Sequence, residues 1–458
     1  MISERKKYWV PSGIYSFLQN VVLFISGFTG FVLLVRYYDK TQFGSWALYL
    51  AFTSFVDVAR GGFINNSLIK FSTINKNDEK KILTNTLFLY LIFTILLTTL
   101  IYILIPLLKK YWISEHLAGL LSFYPIYAFS QVPFQFLSAV EQSKFSFKNQ
   151  YYSNLIRNTL FIGIIAYIVF AKVPFPIEYL PLVQSFTVLI GGLILLMLMY
   201  KSLRFELFID FMWLKRIIDF GKYVFGSNVI SILFSNIDQI LIGYFYNTQY
   251  VATYNTAMRI GNFSDIPMTS VVTIVYPKSN QRLAIIGKKG LRHLYERSVA
   301  LILSIAIPAI VILSIFSKTI IEIIATVKYL DAIPALYIIL LFSIFKPFIK
   351  YFGVIMESIN KPNYHFRLVI TLLLFNFIID LALVPKLELI GAAIGSIVSL
   401  LLGTIICLII LKNMLDVRLT RIIKYTLSFY FEVLEFLIFF NDYKEAFEEK
   451  INENETNE

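Results

Sequence analysis

About twelve blocks of roughly twenty apolar residues run through this chain, each long enough to cross the hydrocarbon core of a bilayer as a helix. Lipid offers a backbone no hydrogen-bond partners, so a spanning segment must satisfy its own N–H and C=O groups. The blocks lie at roughly 12–35, 43–69, 82–106, 117–140, 155–172, 177–200, 217–245, 250–277, 295–317, 333–357, 366–385 and 389–411. Alternation over about ten residues, the mark of a transmembrane barrel, is not the pattern. Only 15% of residues are charged, against about 25% in soluble domains, and 57% are hydrophobic. The expected fold class is all-α integral membrane.

The formal net charge is +12. With the N-terminus in the cytoplasm, the cytoplasmic side holds about 26 Lys and Arg and the outer side about 8, the asymmetry that orients membrane proteins. The loop 278–297 alone carries Lys278, Arg282, Lys288, Lys289, Arg292 and Arg297. The positive excess is thereby explained without nucleic acid as a partner. The start, MISERKKYWVPSG, is basic and runs into a long span with no small-residue cleavage site, so it reads as a retained first helix. The expected location is a bacterial cytoplasmic (inner) membrane, multi-pass, with the N-terminus inside.

Several chemistries lack their residues. No loop between spans is long enough for a folded catalytic domain, and no GxxxxGK[ST] phosphate loop occurs. The single cysteine, Cys407, lies in an apolar run, which removes disulfide, zinc and cysteine-nucleophile readings. His116, His293 and His365 stand far apart at span ends. No catalytic site, metal site or cofactor is expected, and the chain reads as a transporter and not an enzyme.

An internal echo suggests duplication. Thr41-Gln42-Phe43 follows the first span and Thr248-Gln249-Tyr250 follows the seventh, an offset of roughly 207 residues. AVEQSKFSF (139–147) follows the fourth span and IMESINKPNYHF (355–366) the tenth. Both echoes fall at the same stage of two six-helix halves in the same orientation, which is a parallel repeat. The expected organisation is an N-terminal six-helix lobe at 1–207 and a C-terminal one at 208–414. The segment 415–458 adds an apolar or amphipathic helix, equally able to span or to lie in the interface, and an acidic disordered tail.

A charge at mid-membrane costs at least about 2.5–3.5 kcal/mol, so its default reading is functional. Asp57 and Arg60 are three apart on one helix face and read equally as a private salt bridge or a substrate contact. Lys346 and Lys350 are four apart, of like sign, and either meet acids from another span or line a wet cavity, the favoured reading. Arg259 lies about nine residues into its span, roughly 13 Å deep. Asp238 and Asp380 sit in the outer halves of their spans, where a neighbouring cation is the commoner partner, and Asp265 follows Arg259. Arg60, Arg259, Lys346 and Lys350 are the candidate substrate-binding cations. Asp57, Asp238, Asp265 and Asp380 are candidates for coupling or for structural charge pairs. The inference is a polar, cationic central cavity that moves an anionic group.

Four stretches carry a family resemblance: RYYDKTQFGSWAL, SNIDQILIGYF with Asp238, VATYNTAMRI with Arg259, and ALVPKLELIGAAIGSIVS with Pro385 and Gly391. Across nearly all of residues 10–412 the chain resembles Wzx-type polysaccharide (O-antigen) flippases, in the polysaccharide biosynthesis and export family of the MOP superfamily. The resemblance implies two six-helix bundles around a central cavity. It implies transfer of a polyprenyl-pyrophosphate-linked oligosaccharide from the cytoplasmic to the outer leaflet, by alternating access. Arg259 matches a family position of basic or polar character. Membrane lipid and the polysaccharide polymerase machinery are the implied partners, and O-antigen, lipopolysaccharide or capsule the implied destinations. The rival reading is a cation-coupled multidrug or organic-cation antiporter of the same superfamily, kept open by Asp57, Asp238 and Asp265.

Overall fold

The computed structural model describes residues 2–432 other than 112–114, 145, 204, 207 and 360. The acidic tail expected at the end of the chain, 433–458, lies outside these residues. The described chain is helical throughout its ordered elements, with no strand, and nine of its helices are long and apolar enough to cross a membrane. It is a multi-pass membrane protein.

Packing divides the chain into two compact units: residues 1–256, 321–332 and 377–392 form one, and 257–320, 333–376 and 393–458 the other. The first unit contains α1 (Ile2–Tyr37), α2 (Lys40–Ile74), α3 (Glu79–Tyr111), α4 (Glu115–Ser122), α5 (Tyr124–Ser143), α6 (Lys148–Phe170), α7 (Leu180–Met199) and α8 (Phe211–Phe245). It also takes in α9 (Thr248–Gly261) as far as Thr256. The second unit holds α10 (Asp265–Ile286), α11 (Lys288–Ile315), α13 (Ile333–Phe342) and α14 (Lys346–Ser358), while α12 (Ser317–Ala325) passes from it into the first unit at residue 321. It also takes most of α15 (Pro362–Leu415) and a further helix, α16, over 419–432.

Three expected spans are interrupted and two are joined. The span at 117–140 breaks at Phe123, and Pro125 opens the first turn of α5, where a missing N–H costs nothing. The span at 250–277 breaks in a 3₁₀ turn at Asn262–Ser264. The span at 333–357 breaks before α14, which carries Pro347 in its first turn. The spans at 366–385 and 389–411 join as α15 through Glu388, whose φ of 54° and ψ of −129° lie outside helical space.

Polarity is turned inside out relative to a soluble protein. Ile103, Phe170 and Met197 are more than 60% exposed, while Ser45, Thr86 and Ser153 are fully buried. The buried hydroxyls bond to backbone carbonyls: Thr86 to Ile82 (2.6 Å), Thr98 to Thr94 (2.8 Å) and Ser185 to Pro181 (2.6 Å) within their own helices. Ser153 reaches the Gly191 carbonyl of α7 at 2.6 Å. In lipid such bonds satisfy groups that have no water to turn to.

Helix starts are capped by acids and amides. Asp39 accepts from the Gln42 N–H at 2.8 Å and Gln42 answers in a capping box at the start of α2. Asn247 accepts from the Gln249 and Tyr250 N–H groups at 2.9 and 3.2 Å at the start of α9. The repeated Thr-Gln-aromatic triplet is therefore the first turn of two corresponding helices, each preceded by its cap. Glu141, 1% exposed, does the same for α6 across a loop, accepting from Asn149 N–H (2.8 Å), Gln150 N–H (2.7 Å) and the Ser146 hydroxyl (3.0 Å).

Candidate functional site

The intramembrane charges gather at three places. Inside the first unit, Arg60 is 1% exposed and donates to Asp57 Oδ1 at 2.9 Å, Thr94 Oγ1 at 3.1 Å and the Ala128 carbonyl at 2.9 Å. Asp57 Oδ2 accepts from the Tyr127 hydroxyl at 3.2 Å, which in turn accepts from Gln131. Arg157 lies on the face of Phe134, 4.1 Å from the ring centroid, within electrostatic reach of Asp57. The structure thus brings Asp57 and Arg60 together as a charge pair and joins a second guanidinium to it. Arg157, Tyr127 and Gln131 were not singled out from the sequence. Arg157 sits near a span end, where a cation is ordinarily read as interfacial.

The second place is a carboxyl pair. Asp238 of α8 is 6% exposed and Asp380 of α15 fully buried. The two carboxyl groups hydrogen-bond to each other. Tyr254 of α9, also fully buried, donates its hydroxyl to Asp238 Oδ2. The sequence alone pointed each acid toward a cation, and the fold sets them face to face. A hydrogen bond between two carboxyls needs a proton on one of them, because two ionised carboxylates offer only acceptors and repel.

The third place is in the second unit. Lys346, at the start of α14, donates to Asn262 Oδ1 at 2.8 Å and to both Asp265 oxygens at 3.0 and 3.1 Å. Of the two fates open to Lys346, its ammonium meets an acid from another span. The lysine is thereby tied to the turn that follows Arg259 on the same chain stretch. Arg259 and Lys350 are exposed. Lys350 forms no hydrogen bond or ion pair among the described residues and lies within electrostatic reach of Glu357 and His365. Arg259, Lys346 and Lys350 all belong to this unit, while Arg60 belongs to the other. Among the described residues, no cluster of three or more His, Cys, Asp or Glu is placed to hold a metal.

A fourth feature lies at the N-terminal ends of α2 and α9 in the first unit. The two copies of the repeated triplet touch: Gln249 Nε2 donates to Thr41 Oγ1 at 2.9 Å. Gly44 lies so close to the Thr248 carbonyl that a Cβ built on it would fall 1.6 Å from the oxygen. Lys40 pairs with Asp331 at 2.5 Å, and Thr253 donates to the same Asp331 oxygen at 3.3 Å. Tyr246 donates to the Val384 and Pro385 carbonyls at 3.1 and 3.0 Å, and Tyr250 to Glu388 at 3.3 Å. These contacts tie together α2, α9 and the segments around 331 and 385. The Thr-Gln-aromatic echo was their one signal in the sequence.

A family model described as polysaccharide biosynthesis protein matches residues 33–334. "Probable low-salt glycan biosynthesis flippase Agl15" of Haloferax volcanii is 21% identical over 42% of this chain and 41% of its own length. Each curated relative the chain matches is covered over 40% to 44% of its own length. Among solved structures, the inward closed conformation of the lipid II flippase MurJ superposes with a TM-score of 0.73, at 15% identity, over 94% of this chain and 93% of that one. The inward-facing conformation of a multidrug resistance MATE family transporter of the MOP superfamily superposes with a TM-score of 0.72, at 14% identity, over 86% and 95%. The fold is that of the MOP transporters, about twelve helices in two six-helix bundles.

Proposed function

Because the chain belongs to the polysaccharide biosynthesis protein family, we propose that it is a flippase. Its substrate is a polyprenyl-pyrophosphate-linked oligosaccharide, carried from the cytoplasmic to the outer leaflet for surface polysaccharide assembly. The observation that carries this reading is the set of cations on membrane helices of the second unit. Arg259 and Lys350 are accessible, and Lys346 is held beside Asn262 and Asp265. A pyrophosphate suits such a set, since it offers oxygens in several directions to guanidinium and ammonium donors. Arg60 is buried and engaged by Asp57, Thr94 and Ala128 in the other unit, so its role is that of a structural charge pair. Asp265 serves as the structural partner of Lys346.

The transport step is alternating access through a cationic cavity, with the headgroup inside and the lipid tail left in the bilayer. Each negative charge carried outward across 100 mV, inside negative, gains about 2.3 kcal/mol, so two charges gain nearly 5 kcal/mol. The Asp238–Asp380 pair is the coupling site: a shared proton, or a small cation in its place, cancels one of two like charges that otherwise repel. The N-terminus faces the cytoplasm of a cytoplasmic membrane, as the distribution of Lys and Arg favours. A polysaccharide polymerase consumes the product, which is destined for O-antigen, lipopolysaccharide or capsule.

The test is deletion of the gene in its host, with complementation by wild type, Arg259→Ala and a Lys346→Ala/Lys350→Ala pair at matched membrane levels. The expected result is loss of surface glycan, a lipid-linked unit retained on the cytoplasmic side, and no rescue by the neutralised variants. Normal surface glycan with new sensitivity to cationic drugs would overturn the flippase and favour a cation-coupled antiporter.

A further inference from the structure

The carboxyl pair shares one helix with the contacts around Thr41, Gly44 and Asp331, which the proposed orientation puts on the outer side as a seal. Along seven residues of α9, Thr248 packs its carbonyl on Gly44, Gln249 bonds Thr41, Tyr250 bonds Glu388, Thr253 bonds Asp331, and Tyr254 bonds Asp238. Six residues of α-helix rise about 9 Å, and Val251 and Ala252 between them are fully buried. This stretch is a short, packed rod with the seal at one end and a phenol on the carboxyl pair at the other.

We propose that Tyr254 is a positioning residue that transmits the occupancy of the Asp238–Asp380 pair to the outer seal. The inference rests on the coupling role assigned above to that pair. With one proton shared, Asp238 accepts from both Tyr254 and Asp380, and α8, α9 and α15 are held together. Loss of the proton sets two like charges side by side, and the helices that carry them separate. Tyr254 stays with Asp238, the stronger acceptor once ionised. It draws α9 with α8, away from Thr41, Gly44 and Asp331. The ionisable groups on this path are Asp238 on α8, Tyr254 and Tyr250 on α9, Asp380 and Glu388 on α15, Tyr246 after α8, and Lys40 with Asp331 in the seal.

The test reads the seal directly. Ser45 lies beside Gly44 on α2 and is fully buried, and Cys407 is the single native cysteine. In a Cys407→Ala, Ser45→Cys parent, the labelling rate is measured with a membrane-impermeant maleimide added outside intact cells. Asp380→Asn, which leaves Asp238 with no second carboxylate to repel it, is expected to slow labelling by about fivefold or more, the usual lower size of coupling between sites. In Tyr254→Phe, which keeps the ring, that ratio is expected to fall below about twofold. Gln249→Ala removes a seal bond and leaves Tyr254 in place, so it should raise labelling while keeping the ratio. A full Asp380→Asn ratio in the Tyr254→Phe background would show that the tyrosine carries nothing and overturn the proposal, leaving the coupling role of the pair standing. No effect of Asp380→Asn in the parent would overturn the coupling role itself, and this proposal with it.

Discussion

Gly44→Ala adds a single methyl group at the tightest approach between α2 and α9, the contact proposed above to seal the outer side. Its Cβ would lie 1.6 Å from the Thr248 oxygen and 2.4 Å from that carbonyl carbon. Carbon–oxygen contacts ordinarily stop near 3.3 Å, so α9 must withdraw by about 1.7 Å. The Gln249–Thr41 bond, now 2.9 Å, then passes out of hydrogen-bonding range. The Thr253–Asp331 bond, at 3.3 Å, has even less to spare. Two such bonds contribute about 1 kcal/mol each. The Lys40–Asp331 pair adds at most about 1 kcal/mol, since Asp331 is more than half exposed. Roughly 2–3 kcal/mol of seal stability is lost, which shifts the ratio of open to closed seal by roughly 30- to 150-fold. Helix propensity acts in the opposite sense, because Ala stabilises a helix interior by about 1 kcal/mol over Gly. A gain in seal exposure therefore cannot come from a weaker α2. The assay is outside labelling of Ser45→Cys together with recovery of surface glycan. Labelling at the parental rate and full complementation by Gly44→Ala would refute the claim that α2 and α9 close the outer side here.

Three further outcomes follow from the same geometry. Glu141→Ala strands two helix-start N–H groups of α6 and should cost about 1–3 kcal/mol per buried donor, read as a clear fall in detergent-solubilised Tm; an unchanged Tm refutes the capping role. Lys346→Ala leaves Asp265 without its lysine partner and should lower both Tm and transport, whereas Lys346→Ala/Asp265→Asn should recover Tm and not transport; recovery of both would make the lysine purely structural. Asp416, just beyond α15, is held below the ordinary carboxylate range by its hydrogen bonds to Arg421 and Arg418. A depressed carboxylate adds stability above its unfolded pKa of about 3.9, and that stability is lost as pH falls through the folded value. Protease protection of 419–432 should therefore hold at neutral pH and fail in acid, and Asp416→Asn should flatten the dependence; an acid response unchanged by that substitution points to another group.

Much of this architecture is a matter of local physics and can be read from one chain. Twenty apolar residues in lipid have to be helical, and the Lys and Arg count gives an orientation to propose. Asp39 and Asn247 before their Thr-Gln-aromatic turns are N-caps whose partners lie two or three residues away. Asp57 and Arg60 are three apart on one helix, so their meeting follows from helical spacing. The proline-linked breaks at Pro125 and Pro347 are local as well.

The partners of the other charges are set by packing between distant segments. Lys346 and Asp265 stand 81 residues apart and meet because the chain breaks after Gly261 and again before α14. Gly261 lies against Ile339, where a Cβ would fall 2.3 Å from a side-chain carbon. Asp238 and Asp380 come from different helices, and each alone looks like an acid in search of a cation. The two copies of the Thr-Gln-aromatic turn are visible as an echo, but a repeat says nothing about its copies touching. Helices form from contacts a few residues apart, which any single stretch of sequence carries. A buried carboxyl pair, a lysine cage and a glycine-to-carbonyl approach exist only when helices far apart in the chain pack to within van der Waals distance, and that depends on every side chain between them.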